Sequence, residues 1–206
     1  MSCKMCQTMK RCTSKLLGLL HNLLIPDHPW SGIAMDFVGP FPESIGRNYL
    51  WVVMCHLTSQ VHLIPINTMT KTIELTNEFL THVVRLHGLP MSIVSDWDTK
   101  FTSLFWTELH QLLGVKLKLS TSFHPQMDGQ TERMIQNVVQ ILRSSIHPDQ
   151  HDWVLKVPMT EFAINSSVNK STGFTPFKLI YGYIPQMVLS IPTSEYKGYR
   201  SLPRRH

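Results

Sequence analysis

Three acidic residues in this chain occur in three different local settings. Asp36 lies inside an apolar segment, Asp96 follows a second apolar segment, and Glu132 opens a stretch with helical periodicity; thirty-five residues separate Asp96 from Glu132. A buried carboxylate without a partner costs roughly several kcal/mol, so such groups are usually paired or bound to a cation. Hard cations such as Mg²⁺ prefer oxygen ligands. The three residues therefore predict a metal site, and two metals held this way suit phosphoryl transfer.

The alternative is that each carboxylate is an ordinary surface residue or helix cap. We accept that alternative for Asp98 and for Asp128, which is well placed to be the N-cap of the following helix. For Asp36 this alternative is weak, because the residues around Asp36 on the strand are apolar, as in a strand covered on both faces.

Alternating and helical apolar patterns predict the elements that must position these carboxylates. The expected strands are 31–38, 49–56, 61–66, 91–95 and 115–119, and the expected helices are 71–87, 105–113, 128–146 and 152–166. This order predicts an α/β fold: a five-stranded mixed sheet with helices on both faces. Asp36 and Asp96 then fall at neighbouring strand ends, where such sheets bind ligands. Glu132 is expected on the same helix face as Ile135, Val138, Val139 and Leu142, directed toward the sheet.

The 206 residues fit one medium domain with ends, and 43% hydrophobic residues can form a core. We divide the chain into an N-terminal region 1–28, a central domain 29–185 and a basic tail 186–206. The net charge of +5 is a mild bias toward polyanionic partners. Apolar runs stay below the roughly 18 residues that span a bilayer, so no membrane association is expected. Four cysteines do not form a disulfide framework here, which favours an intracellular setting.

Several ordered motifs carry a family resemblance. Residues 33–40 (IAMDFVGP), 93–103 (IVSDWDTKFTS), 124–133 (HPQMDGQTER), 161–166 (EFAINS) and 172–177 (TGFTPF) resemble the integrase catalytic core of gypsy-class LTR retrotransposons. The resemblance covers about residues 29–185 and includes the Asp, Asp, thirty-five residues, Glu spacing.

This resemblance implies an RNase H-like fold in which Asp36, Asp96 and Glu132 are both catalytic residues and ligands of two Mg²⁺ or Mn²⁺ ions. It implies a metal-dependent polynucleotidyl transferase that processes DNA 3′ ends and transfers strands. The implied partners are DNA, as element ends and as target, and further copies of the chain; RNA is an alternative nucleic acid. The implied place of action is the nucleus.

The N-terminal cysteines Cys3 and Cys6 have the spacing of half a zinc site. In the family such a pair closes a His-His-Cys-Cys domain before the core, so residues 1–28 are interpreted as its remnant plus a linker. Zn²⁺ is then expected only if that domain were complete. A local site made of Cys3, Cys6, Cys12 and His21 is the alternative, with less convincing spacing. Cys55 is interpreted as a buried small hydrophobe.

Nucleic-acid contacts are predicted for Lys100, His124, Gln126 and Arg133, which lie in or beside the motifs that contain the second and third carboxylates. Phosphate contacts of this kind are sequence-tolerant and salt-sensitive. The alternative is solvated surface charge or loop hydrogen bonding, which is as good a reading for His124. His82 and His87 are interpreted as ordinary polar positions of a helix, since the eleven histidines show no ligand spacing.

Two functions remain open at this point. The first is an active integrase-type transferase, favoured by the intact triad. The second is a catalytically decayed or domesticated remnant that binds nucleic acid. The second is favoured by the missing zinc histidines and by departures from the family pattern at Trp97, Met127 and Ile135.

Overall fold

A computed structural model describes residues 26–95, 105, 107–109, 111, 120–121 and 125–186. Four strands form the body of a sheet: β1 (Gly32–Val38), β2 (Tyr49–Cys55), β3 (Val61–Ile66) and β4 (Ser92–Ser95). A two-residue strand, β5 (Ser120–Thr121), extends it beyond β4. The edge strand expected over 115–119 lies outside the described residues.

The sheet is mixed, in the order β3-β2-β1-β4-β5. β1 and β2 pair antiparallel, as do β2 and β3, whereas β1 with β4 and β4 with β5 are parallel. The β2–β3 hairpin is therefore confirmed. The parallel register ends with Met35 opposite Ser95, so the carboxyl ends of β1 and β4 lie side by side.

Four helices have both ends among the described residues. The helix α1 consists of Thr72–Phe79, a π-helical segment Leu80–Val84 and Arg85–His87, and it ends before Gly88, whose φ of 82° is a conformation that glycine tolerates best. The others are α2 (Pro125–Ser145), α3 (Trp153–Ser166) and α4 (Pro176–Tyr181). The predicted segment 105–113 is helical at each position described, namely Phe105, Thr107–Leu109 and Gln111.

Each face of the sheet has its own core, which confirms helices on both faces. On one face, Leu75, Phe79 and Val83 of α1 pack with Ile33, Met35 and Trp51 of the sheet. On the other, α2 and α3 pack on Ala34, Val52 and Leu63. Strand residues thus alternate between two apolar layers, which is why the strands are apolar on both sides.

Side chains of α3 satisfy the open edge of β3. The Asn165 amide accepts a hydrogen bond from the Val61 N–H (2.9 Å) and donates one to the Val61 carbonyl (3.0 Å). Glu161 Oε2 accepts from the Leu63 N–H at 2.9 Å. Pro65 follows at the next outward-facing position and has no N–H to offer. An edge treated in this way is a poor template for pairing with another strand.

The helix that carries Glu132 begins earlier than expected, and this overturns one prediction. α2 begins at Pro125, so Asp128 lies within its first turn and is not its N-cap. Proline suits the first helical position because its missing N–H would have no partner there. No helix in the described part of the chain has the length and hydropathy that a bilayer crossing requires.

Candidate active site

Asp36 lies where β1 emerges from the core. The first four residues of the strand are buried and the last three, beginning with Asp36, are half-buried. Asp36 is therefore less buried than expected: it is half-buried at the end of the strand and not enclosed in the core. Asp36 Oδ1 accepts a hydrogen bond from the Phe37 N–H at 2.7 Å, which fixes one oxygen and helps to solvate the charge.

Glu132 lies on the first half of α2, at the border of its apolar face. The buried stripe is Met134, Val138 and Leu142, while Ile135 and Val139 are only half-buried. This stripe is turned slightly from the predicted one, so the Glu132 side chain is exposed instead of directed into the core. Its Oε1 accepts a hydrogen bond from Gln136 Nε2 at 3.0 Å, one helical turn away.

One cleft brings these two carboxylates together. It has a volume of about 280 Å³ and lies between the carboxyl ends of β1 and β4 and the flank of α2; its lining is Met35, Asp36, Val94, Ser95, Thr131, Glu132 and Ile135. The position is the one at which open mixed sheets bind ligands. Since α2 packs against β1 through Ala34, the same contact that builds the core carries Glu132 to the strand end.

A larger depression of about 370 Å³ lies beside β3 and does not share this chemistry. Arg47, Glu78 and His82 contribute its polar groups, and Glu78 Oε2 lies 3.2 Å from His82 Nε2. We assign the site to the smaller cleft, because two carboxylates from separate elements converge there.

Of the remaining predicted site residues, only Arg133 has its side chain in the part that is described. Asp96, Lys100 and His124 lie outside that part, as do Cys3 and Cys6, and the side chain of Gln126 is not described either. Arg133 is described and exposed, and its Nε–H donates to the Gly129 carbonyl at 2.8 Å along the helix. Within the described ranges, no three His, Cys, Asp or Glu side chains form a metal-binding group.

The structure also reveals a polar cluster that the sequence did not indicate. The Nε2 atoms of His62 on β3 and His87 at the end of α1 are 2.8 Å apart, and His62 Nδ1 is 3.0 Å from Glu161 Oε1. The Trp30 indole stacks on His87, with ring centroids 4.0 Å apart and 4° between the planes. The prediction that His87 is an ordinary polar position is therefore wrong. Neither residue type nor spacing in the sequence points to a pair 25 positions apart.

The hydrogen-bond partners determine which ring nitrogens in this cluster carry a proton. A carboxylate only accepts, so His62 donates from Nδ1 to Glu161 and, when neutral, accepts at Nε2 from His87 Nε2–H. Burial, and then the neighbouring His62, lower the pKa of His87 to about 4.

Burial also lowers the pKa of His56, which lies beyond the end of β2. His82, by contrast, is an exposed partner of Glu78, as a polar helix position should be. Cys55 is buried as predicted, and its sulfur accepts from the Trp30 N–H at 3.2 Å.

Sequence comparison relates the chain to retrotransposon polyproteins. The Tf2-3 and Tf2-4 transposon polyproteins of Schizosaccharomyces pombe are each 30% identical to it over 186 residues, which is 90% of the chain and 14% of each polyprotein. The chain thus spans about one seventh of the length of these relatives. No protein-family model matches it.

Structure comparison points the same way. The catalytic core domain of HTLV-2 integrase, solved with magnesium in a trimeric form, has a TM-score of 0.54 and 18% identity, covering 76% of this chain and 97% of that one. The BIV integrase catalytic core has a TM-score of 0.51 and 17% identity, covering 74% and 93%. A simian T-cell lymphotropic virus intasome bound to a PP2A regulatory subunit has a TM-score of 0.57 and 16% identity, covering 95% and 69%.

This chain is a relative of retrotransposon polyproteins and has the fold of an integrase catalytic core. The resemblance of the motifs to that family is confirmed, and so is the RNase H-like α/β fold. The cleft of the integrase-like chain lies between β1, β4 and α2, the elements that the motifs around Asp36, Asp96 and Glu132 occupy or adjoin.

Proposed function

We propose that the chain is the catalytic core of a metal-dependent polynucleotidyl transferase that processes DNA 3′ ends and joins them to target DNA. The observation that carries the proposal is the convergence of Asp36 and Glu132 on one cleft at the carboxyl ends of β1 and β4. Related retrotransposon polyproteins and the integrase-core fold support it.

Asp96 is the proposed third carboxylate. Ser95 is the last residue of β4 and pairs with Met35, so the next residue of each strand is an aspartate. Side chains alternate along a strand; Ile93 packs in the core on the α1 face, and Val94 lines the cleft. Val94 and Ser95 at the end of β4 line the cleft, so we propose that the residue following them in the chain, Asp96, completes the carboxylate set.

The donor set of the cleft fits Mg²⁺ or Mn²⁺ better than Zn²⁺. Among the described lining residues the charged groups are carboxylates, and none is Cys or His. Hard cations accept such oxygen ligands and keep several waters, whereas structural zinc sites use Cys and His. Two ions bound here would supply charge neutralisation on the attacking and leaving oxygens of a phosphodiester.

The chain itself would hold and orient the reacting groups. Asp36 lines the cleft with its Oδ1 held by the Phe37 N–H, and Gln136 restrains Glu132 on the opposite wall. Ile135 and Val94 give the cleft apolar sides, which lower the local dielectric and strengthen each charge interaction. Exposed Arg133, next to Glu132, is the proposed phosphate contact; Lys100, His124 and Gln126 are proposed further contacts.

The surroundings of this reaction are proposed by analogy. The HTLV-2 core has been solved in trimeric and dimeric forms, and a further neighbour is part of an intasome, so we propose that the chain acts as a homo-oligomer on DNA. DNA integration would place it in the nucleus. Residues 29–185 are the proposed core, preceded by a zinc-domain remnant and linker and followed by a basic tail.

A DNA cleavage and joining assay tests the proposal. The chain is incubated with a labelled duplex and Mn²⁺, and shortened and joined strands are separated on a denaturing gel. Glu132→Gln and Asp36→Asn should each reduce product by at least about a hundredfold, the usual cost of losing a group that stabilises transition-state charge. Glu74→Gln, an exposed carboxylate in the first turn of α1, is the matched control and should retain activity.

Calorimetric titration with Mn²⁺ separates the possible failures. Wild type should bind Mn²⁺ and Glu132→Gln should bind it at least about tenfold more weakly, since a ligand has been lost. A folded chain that binds metal without cleaving DNA would favour the nucleic-acid-binding remnant. A folded chain whose Mn²⁺ binding is unaffected by both carboxylate changes would refute the site.

A further inference from the structure

A row of four aromatic rings crosses from α3 to the chain beyond α4. Successive ring centroids are 5.5 Å apart for Phe162 and Phe177, 5.7 Å for Phe177 and Tyr181, and 6.3 Å for Tyr181 and Tyr183. We call these four residues the aromatic row. Its inner end, Phe162, is half-buried, while Tyr181 and Tyr183 are 50% and 63% exposed, so the row leads outward from the domain.

Local structure fixes the row in place. Thr175 caps α4 by accepting a hydrogen bond from the Lys178 N–H at 3.2 Å, and Pro176 occupies the first turn. Phe177 and Tyr181 are four residues apart and therefore share one helix face. Gly182 then ends the helix in the left-handed conformation, with φ of 80°, and this turn brings Tyr183 back beside Tyr181.

The segment from Phe162 to Gln186, which carries the row, is basic, and Glu161 just before it is engaged by His62 and the Leu63 N–H. Lys178 lies over the ring of Phe174, with Nζ 5.3 Å from its centroid, and Phe174 is itself 48% exposed. Between Phe162 and Gln186 the sequence contains two lysines, Lys170 and Lys178, and no Asp or Glu. Binding of a purely apolar partner would not require lysines beside exposed aromatic rings in a segment that has no acidic residue.

We propose that the aromatic row is a stacking platform for unpaired bases of a single-stranded nucleic acid. Exposed aromatic faces beside cations are the features with which proteins bind single strands without sequence preference, the rings stacking on bases and the lysines contacting phosphates. Duplex DNA keeps its bases stacked on each other, so it gains only the phosphate contacts. None of these residues lines the carboxylate cleft. The proposal goes beyond the proposed reaction, since such binding needs neither metal nor cleavage.

Fluorescence anisotropy with a labelled twenty-nucleotide mixed-sequence single strand, and with the same sequence as a duplex, tests the platform. Wild type should prefer the single strand. Tyr183→Ala should weaken single-strand binding by about tenfold, with little effect on the duplex. Tyr183→Leu should weaken it similarly, because leucine keeps apolar area but lacks a ring, whereas Tyr183→Trp should preserve it. Leu155→Ala, an exposed apolar residue of α3 outside the row, is the matched control.

Two results would overturn the proposal. One is binding of the single strand that Tyr183→Leu leaves unchanged, since stacking would then contribute nothing. The other is loss of self-association in ultracentrifugation on Tyr183→Ala with no change in nucleic-acid binding, which would make the row an interface between copies of the chain. Both measurements omit divalent metal and need no cleavage, so they are independent of the proposed transferase activity.

Discussion

Acidification should destabilise the fold through His87. Its pKa is lowered to about 4 from 6.5, so between these two values the unfolded chain binds a proton that the folded chain excludes. The resulting stability is fully present above the unfolded pKa and is lost as the pH falls toward the folded one. Protonation would also place hydrogens on both nitrogens of His87 within the stack formed by Trp30 and His62.

The structure sets the size of this effect. At about 1.4 kcal/mol per pKa unit, integrating the shift from neutral pH down to about pH 5 gives a loss of about 2 kcal/mol. Because the ring is only half-buried, solvent screens part of its interaction, and we expect about 1 kcal/mol. For a domain of this size that is a measurable fraction of the total stability.

Urea unfolding followed by far-ultraviolet circular dichroism at about pH 7.5 and about pH 5 measures the loss. The informative variant is His87→Phe, which keeps a ring beside Trp30 but cannot titrate. At neutral pH it should be less stable by about 1 kcal/mol, because His62 Nε2 loses its donor. It should then lose about 1 kcal/mol less than wild type on acidification.

Comparing the stability that each protein loses between the two pH values separates the effect of His87 from that of other groups. His56 also has a lowered pKa and destabilises in the same direction, but it is present in both proteins and cancels in the difference. His28→Gln, which alters an exposed histidine, should lose as much stability between the two pH values as wild type does. If His87→Phe and wild type lose equal stability between the two pH values, the proton assignment of the cluster is incorrect.

Two further predictions concern packing and the sheet edge. Leu142→Ala removes a side chain that is 1% exposed in the core beneath α2 and should cost about 2–5 kcal/mol in urea unfolding, whereas exposed Gln140→Ala should cost little. Asn165→Ala leaves the Val61 N–H and carbonyl on the β3 edge without their amide partner and should cost about 1–3 kcal/mol. It should also increase concentration-dependent association in ultracentrifugation, and association equal to that of exposed Asn137→Ala would contradict the role given to the amide.

The sequence predicted the elements that periodicity encodes directly. Continuous apolar runs placed β1, β2 and β3 within about a residue of their ends, because a strand covered on both faces has to be apolar throughout. The start of α2 was placed three residues late, since Pro125 within a polar stretch is compatible with both a loop and a first helical turn. The π-helical segment of α1 has no pattern of its own, because the apolar stripe runs through it unchanged.

The candidate site could be predicted in composition but not in geometry. Residue types and spacing identified Asp36 and Glu132, whereas their exposure depends on where β1 leaves the core and how α2 is rotated on it. The His62–His87–Glu161 cluster was missed because its members come from three elements, and only tertiary packing brings them together. Each of these residues alone has an ordinary polar role in the sequence.

Glu161 joins the edge of the sheet to the histidine cluster, and this connects fold stability to the site. One of its oxygens binds the Leu63 N–H and the other faces His62, so α3 is held to β3 by the same carboxylate that orients the ring. α3 in turn packs with α2 in one core. Since α2 carries Glu132, the position of this proposed catalytic carboxylate depends on a helix that is anchored at the opposite edge of the sheet. The apolar core supplies most of the energy for this arrangement, and the directional hydrogen bonds of Glu161 and Asn165 to Val61 and Leu63 fix where α3 lies along β3.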